Sequence, residues 1–305
     1  MNTWQPATLC WSISKYREFE RCRRAYFYNR FWGQDPKTSY QLYKLRMITT
    51  LPELRGEVVH SIITEMLRSI KTGQAISLDA AKERVTDILR QRFIESAKRL
   101  WHRDNRPPGR KMCEFTNLFE HYYKFPDAVE RAREARLIAW KCLDALTNSQ
   151  LWSEIVSSDP SKWIDTDEDT FKSFDLDGIK VYTKIDFAYT SSIPTIIDWK
   201  TGEQTDQDRE QLMVYAFYAK SKWDWNPTQL QLSAVYLYPE FTTYSFIPEA
   251  DDLQKIERLI KSSFEQMLRL ESAHGPANID LFPPTENTAF CQWCRFREIC
   301  SVAYG

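Results

Sequence analysis

Apolar positions recur at helical spacing through most of the first half of the chain. Val59, Ile62, Ile63, Met66, Leu67 and Ile70 fall at helical intervals, which predicts a helix over 53–72 with Gly73 as its stop. The same period predicts helices over 78–101 and 127–148, separated by a basic, proline-containing loop from Arg103 to Lys111. Nearer the amino terminus, 12–31 reads as one helix, opened by Ser12 or Ser14 and crowded with arginines and aromatic rings. After Pro160 the period shortens to two. Residues 162–174, 179–189 and 194–200 alternate polar and apolar positions and predict three antiparallel strands, turned at Asp177-Gly178 and at Ser191-Ser192. Helical spacing returns over 206–222, followed by strands at 229–238 and 241–247. A helix over 250–272 then leads through a proline-containing loop to a group of cysteines.

This order predicts an α/β protein in four stretches. Residues 1–52 carry the Arg/aromatic helix, 53–160 form a helical region, 161–250 form the core of strands, and 251–305 bring the last helix and the cysteines. The two ends of the chain are expected to meet. With 43% hydrophobic and 27% charged residues among 305, a sizeable core is available and wholesale disorder is excluded. Mean hydropathy is −0.53, and no apolar run approaches the roughly 20 residues a bilayer demands. Met1 to Cys10 lacks the pattern of an export signal, so a soluble, cytoplasmic protein with no membrane partner is expected. Net charge is −1, from 41 basic and 42 acidic residues, so any polyanionic partner must meet a local patch.

Asp198-Trp199-Lys200 ends a short apolar strand that begins at Thr195. Alternate strand residues share a face about 6.6 Å apart, so Asp198 and Lys200 point one way and Trp199 the other. A hairpin through 190–194 brings Asp186 beside Asp198. Two carboxylates with a lysine alongside suit a hard divalent cation, Mg2+ or Mn2+, which makes a bound water more acidic. The lysine orients that water or stabilises charge on a phosphate. The plainer alternative is a cross-strand ion pair on a solvated face. Gln211 and Tyr215 lie one turn apart on the next helix and share a face, although Tyr215 alone would read as core. Gly56 stands four residues before His60, a position where histidine is as readily structural as a ligand.

Taken in order, Gly56-x-x-x-His60, Asp186, Asp198-x-Lys200, Gln211-x-x-x-Tyr215 and the terminal cysteines resemble the RecB-type nucleases of the PD-(D/E)XK superfamily. These include the nuclease modules of AddAB-type helicase–nucleases and the CRISPR adaptation nucleases. The resemblance runs from about Ser12 to Cys300. It implies a restriction-endonuclease-like core, a mixed central sheet flanked by helices, with a helical insertion and an iron–sulfur-stapled terminal region. It also implies that His60, Asp186 and Asp198 bind the metal, that Lys200 acts on the attacking water, and that Gln211 and Tyr215 support the site and the DNA. Thr183-Lys184 stand where the family commonly has glycine, a departure that removes no ligand.

Seven cysteines are unevenly spread, and Cys291-x2-Cys294-x5-Cys300 gathers three of them. A closed four-coordinate site needs one more ligand, and Cys22 in the early helix is the candidate. The resemblance implies that Cys22, Cys291, Cys294 and Cys300 hold a 4Fe–4S cluster; spacing alone leaves zinc open. Cys10, Cys113 and Cys142 read as isolated thiols. Arg17, Arg21, Arg23 and Arg24, interleaved with rings, suit a nucleic-acid backbone and its bases, against the alternative of a solvated face over a packed core. No phosphate-binding loop of a motor occurs. The expected function is a metal-dependent deoxyribonuclease, an exonuclease or end-processing enzyme on single-stranded DNA, with a helicase, recombination or CRISPR partner supplying strand separation. The alternative is a catalytically weak iron–sulfur scaffold in such a complex.

Overall fold

The computed structural model describes residues 9–31, 36–164, 172–272 and 278–300. The expected first helix is two, α1 (Ile13–Arg21) and α2 (Arg23–Arg30), broken at Cys22. Cys22 is extended (φ −162°, ψ 106°); its N–H closes α1 on the Glu18 carbonyl, and its sulfur lies 3.5 Å from the Ala25 N–H that opens α2. Helix α3 (Pro36–Arg46) lacks a clear apolar period and was not foreseen. Strand β1 (Ile48–Thr49) runs into α4 (Leu51–Lys71), which opens with a capping box between Thr50 and Glu53. Helix α5 (Leu78–Ala97), strand β2 (Asn117–Leu118) beside β1, short α6 (Phe119–Tyr122) and α7 (Ala128–Thr147) complete the helical region. The stretch 103–111 is non-helical as expected. An unforeseen α8 (Gln150–Ser157) follows, capped by Ser149.

The strands then split in a way that alternation alone does not reveal. β3 (Trp163–Ile164) is short, and β4 (Lys172–Leu176) pairs only with β5 (Ile179–Thr183) as a separate hairpin. Its turn uses positive φ at Asp177 and Gly178, the backbone that such a sequence favours. The predicted strand 179–189 is interrupted at Lys184 to Asp186, where the chain leaves the hairpin and enters the central sheet as β6 (Phe187–Tyr189). β6 turns antiparallel into β7 (Thr195–Lys200), with Phe187 opposite Ile197. Helix α9 (Gln207–Trp223) crosses over to β8 (Gln231–Tyr236), parallel to β7, and β9 (Thr242–Phe246) adds the antiparallel edge. Helix α10 (Ala250–Ser272) follows.

The result is a five-stranded mixed sheet in the order β3-β6-β7-β8-β9, covered on both faces. Ile196, Leu232 and Ala234 face a core shared with α9 and α10; Ile197, Trp199 and Val235 face one shared with α4, α5 and α7. A strand buried on both faces needs such a near-continuous apolar run, and β7 has one except at Asp198 and Lys200. The two ends of the chain do meet. The Arg24 N–H donates to the Pro283 carbonyl, Tyr28 Oη to the Ile299 carbonyl, and Arg30 pairs with Glu271 at 2.8 Å. No helix among the described residues is long and apolar enough to cross a membrane.

Candidate active site

The site forms where β7 ends against α4 and α9. Because side chains alternate along β7, Ile197 and Trp199 turn toward α4 and α7, leaving Asp198 and Lys200 for the α9 side. Asp198 is 3% exposed and Asp186 9%, so both carboxylates are removed from bulk water. Asp186 stands in the interruption before β6, and this frees its side chain for two bonds. Oδ1 lies 2.9 Å from His60 Nδ1 on α4, and Oδ2 accepts the Trp199 N–H at 2.9 Å. The second bond ties Asp186 to the backbone beside Asp198.

Helix α9 supplies the other wall. Tyr215 Oη donates to Asp198 Oδ1 at 2.8 Å, and Gln211 Nε2 reaches the same oxygen at 3.2 Å. Lys200 Nζ lies 2.7 Å from Asp198 Oδ2 and donates to Gln211 Oε1 at 3.0 Å. The lysine also meets a carboxylate that sequence reasoning missed: Asp208 Oδ1 is 3.1 Å away. Asp208 Oδ2 in turn accepts from Thr205 and from Tyr236 Oη. Its signal was present, because Asp208, Gln211 and Tyr215 fall at helical spacing on one face.

Burial and charge push the two carboxyls in opposite directions. Burial raises Asp198 above the usual carboxylate range, and the neighbouring Asp186 charge adds to this against the opposing Lys200 ammonium. Burial acts the same way on Asp186, but the His60 charge and the His60 and Trp199 hydrogen bonds outweigh it and hold this carboxyl below its ordinary value. Buried carboxyls driven apart in this way are typical of reactive sites.

Two carboxylates and an imidazole make a donor set suited to Mg2+ or Mn2+. Asp198 Oδ2 is buried and accepts no hydrogen bond of regular geometry, so it is the oxygen with capacity for a cation. As they stand, the side chains bond one another. Among the described residues no three His, Cys, Asp or Glu converge on a common point as a ready-made metal pocket.

Gly56, one turn before His60, lets α4 approach the loop after Lys200; a Cβ there would come within 3.3 Å of Thr201 Oγ1. Arg55 donates to the Thr201 carbonyl at 3.0 Å and lies on the wall of a cavity of about 530 Å3. Cys22, Cys291 and Cys294 line another wall of that cavity. Cys22 and Cys300 both bear electrostatically on Cys291 and Cys294, so the four predicted cysteines lie in one neighbourhood. Burial, more than the other thiols, pushes Cys294 up to about 11.

The four predicted arginines separate. Arg21 lines the cavity, whereas Arg17 bonds the Gln207 carbonyl, Arg24 the Phe282 carbonyl at 2.8 Å, and Arg23 lies over the Phe19 ring at 5.0 Å.

No curated protein matches the sequence. The solved structure described as the crystal structure of SSO0001 is 17% identical, covering 60% of this chain and 78% of its own, with a TM-score of 0.30. A family model matches residues 10–301, nearly the whole length over which the site is assembled. The chain belongs to the PD-(D/E)XK nuclease superfamily.

Proposed function

We propose that this protein is a metal-dependent deoxyribonuclease of the RecB type that hydrolyses single-stranded DNA from or near an end. The observation that carries the reading is the buried Asp186 and Asp198 beside Lys200, held by Gln211 and Tyr215. His60, Asp186 and Asp198 would hold Mg2+ or Mn2+. That ion, when bound, acidifies a water and neutralises charge on the phosphate. The chain's own residues do the rest. Trp199 N–H fixes the rotamer of Asp186, and Tyr215 and Gln211 fix that of Asp198. Lys200 presents N–H donors and a positive charge beside Asp198, where an attacking water or a phosphate oxygen is oriented and stabilised. Asp208 holds the ammonium from the opposite side, so that it need not collapse wholly onto Asp198.

A 4Fe–4S cluster on Cys22, Cys291, Cys294 and Cys300 belongs to the same reading. Support comes from their common neighbourhood and from the cavity beside them, whose volume far exceeds what one ion fills. Strand separation, in this proposal, falls to a helicase or another recombination or CRISPR-type partner.

The test is cleavage of a labelled single-stranded oligonucleotide with Mn2+. Wild type is expected to shorten it, and Asp198→Ala to lose at least about 100-fold in rate, the lower end of what a reacting acid–base or electrostatic group supplies. Equal rates for the two proteins would end the proposal.

A further inference from the structure

The segment that brings Cys291 and Cys294 into place also presents two aromatic rings to solvent. Phe290 is 48% exposed and Trp293 47%, the two most exposed aromatic rings among the described residues. They stand three apart in one 3-10 helical stretch, Thr288–Trp293, where residues at that spacing eclipse one another. Both therefore lie on one face, and both line the 530 Å3 cavity. Neither is explained by packing of the core. Trp293 is braced from behind by Phe119 and Phe125, each with ring centroids 5.5 Å away, so its orientation is fixed while its outer face stays open. Arg131 lies over Trp293 at 5.7 Å, and Arg21 stands on the same cavity wall.

Fixed, solvent-facing rings interleaved with guanidinium groups match unstacked bases on a phosphate backbone. A protein partner would call for a continuous apolar patch, and here cations interrupt it. The cavity also points somewhere. Its far wall includes Arg55, which bonds the Thr201 carbonyl directly after Lys200.

We infer that Phe290 and Trp293 form a stacking platform for single-stranded nucleic acid, at the mouth of a cavity that leads past the cysteines and Arg55 to the carboxylate pair. This deepens the nuclease reading and rests on it for direction only, since stacking itself requires no cleavage.

The probe is a fluorescein-labelled oligo(dT) of about 20 nucleotides, titrated by anisotropy with full-length protein in EDTA at fixed salt. Phe290→Ala and Trp293→Ala are each expected to weaken binding roughly 5- to 100-fold, and Trp293→Phe to restore most of it. A duplex of the same length, whose bases are stacked inside, is expected to bind all variants alike; an oligo(rU) arm shows whether the sugar matters. Phe290 has no ring packed against it among the described residues, so its variant keeps the test alive if Trp293→Ala fails to fold. Unchanged oligo(dT) binding by Phe290→Ala and Trp293→Ala, or no binding by wild type, overturns the platform. Loss of binding in these variants together with a wild type that cleaves nothing keeps the platform and removes the nuclease reading instead.

Discussion

Three oxygens from two elements share the Lys200 ammonium: Asp198 Oδ2 at 2.7 Å, Gln211 Oε1 at 3.0 Å and Asp208 Oδ1 at 3.1 Å. A lysine held by one carboxylate alone would neutralise the very group proposed to bind the cation. The second and third acceptors divide its charge. Asp208→Asn is therefore expected to tighten Lys200 onto Asp198, lowering cleavage about 10- to 100-fold and raising the Mn2+ concentration needed for half-maximal rate, as outer-sphere partners of a metal site do. A rate measured across a Mn2+ series checks this; a rate loss with an unaltered Mn2+ requirement would place Asp208 outside the metal's influence. The residues named from sequence in this group each follow from a local period, i and i+2 on β7 or i and i+4 on α9. Asp208 escaped because an acidic residue in the first turn of a helix already has an ordinary explanation in the helix dipole. Arg17 and Arg24 were misleading for a different reason. Their carbonyl partners, on Gln207 and Phe282, lie far along the chain, and no local pattern exposes them.

Among the elements, α4 depends on an acceptor from outside itself. Its first N–H, on Leu51, donates at 3.0 Å to Glu120 Oε1 of α6, while Glu120 Oε2 is buried without a hydrogen-bond partner. Burial, more than any other influence, raises the Glu120 carboxyl above its ordinary value despite the lowering effect of that hydrogen bond. A carboxyl raised in the fold favours the protonated form. Its contribution is thus fully present below the unfolded pKa and is lost as pH rises through the folded one. Glu120→Gln keeps an acceptor for Leu51 and removes the charge. It is expected to melt higher than wild type near pH 8, with the advantage vanishing near pH 4; thermal melts at the two pH values read this directly. An advantage equal at both would show that ionisation of Glu120 is not what costs stability. The long helices α4, α5, α7 and α10 were legible in the sequence to within a few residues because each has a sustained apolar face. The break at Cys22 and the interruption at Lys184 to Asp186 were not. Both are places where tertiary contacts at one residue override a continuous local pattern.

For the molecule as a whole, the cysteine site is proposed to join ends that are far apart in sequence. In the chain-entropy description of cross-links, closing a loop of roughly 270 residues is worth about 5–6 kcal/mol. That compares with about 5–15 kcal/mol for the entire net stability of a typical domain. The meeting of the ends also has its own bonds, from Arg24, Tyr28 and Arg30, so without the cluster the fold should loosen at this seam before it unravels elsewhere. Cys22 offers a clean way to separate the staple from local structure, because its sulfur otherwise serves only as a distant cap at 3.5 Å from the Ala25 N–H. Serine is the better cap at such a position. If capping were the whole role of Cys22, Cys22→Ser would be neutral or stabilising. If the thiol is a cluster ligand, the same change is expected to abolish iron and visible absorbance, against about four irons per chain in wild type. It should also lower the melting temperature by an amount no cap explains. Iron and zinc analysis beside a thermal melt decides it: zinc in wild type would replace the cluster with a tetrahedral ion, and a metal-free wild type melting with Cys22→Ser would remove the staple altogether.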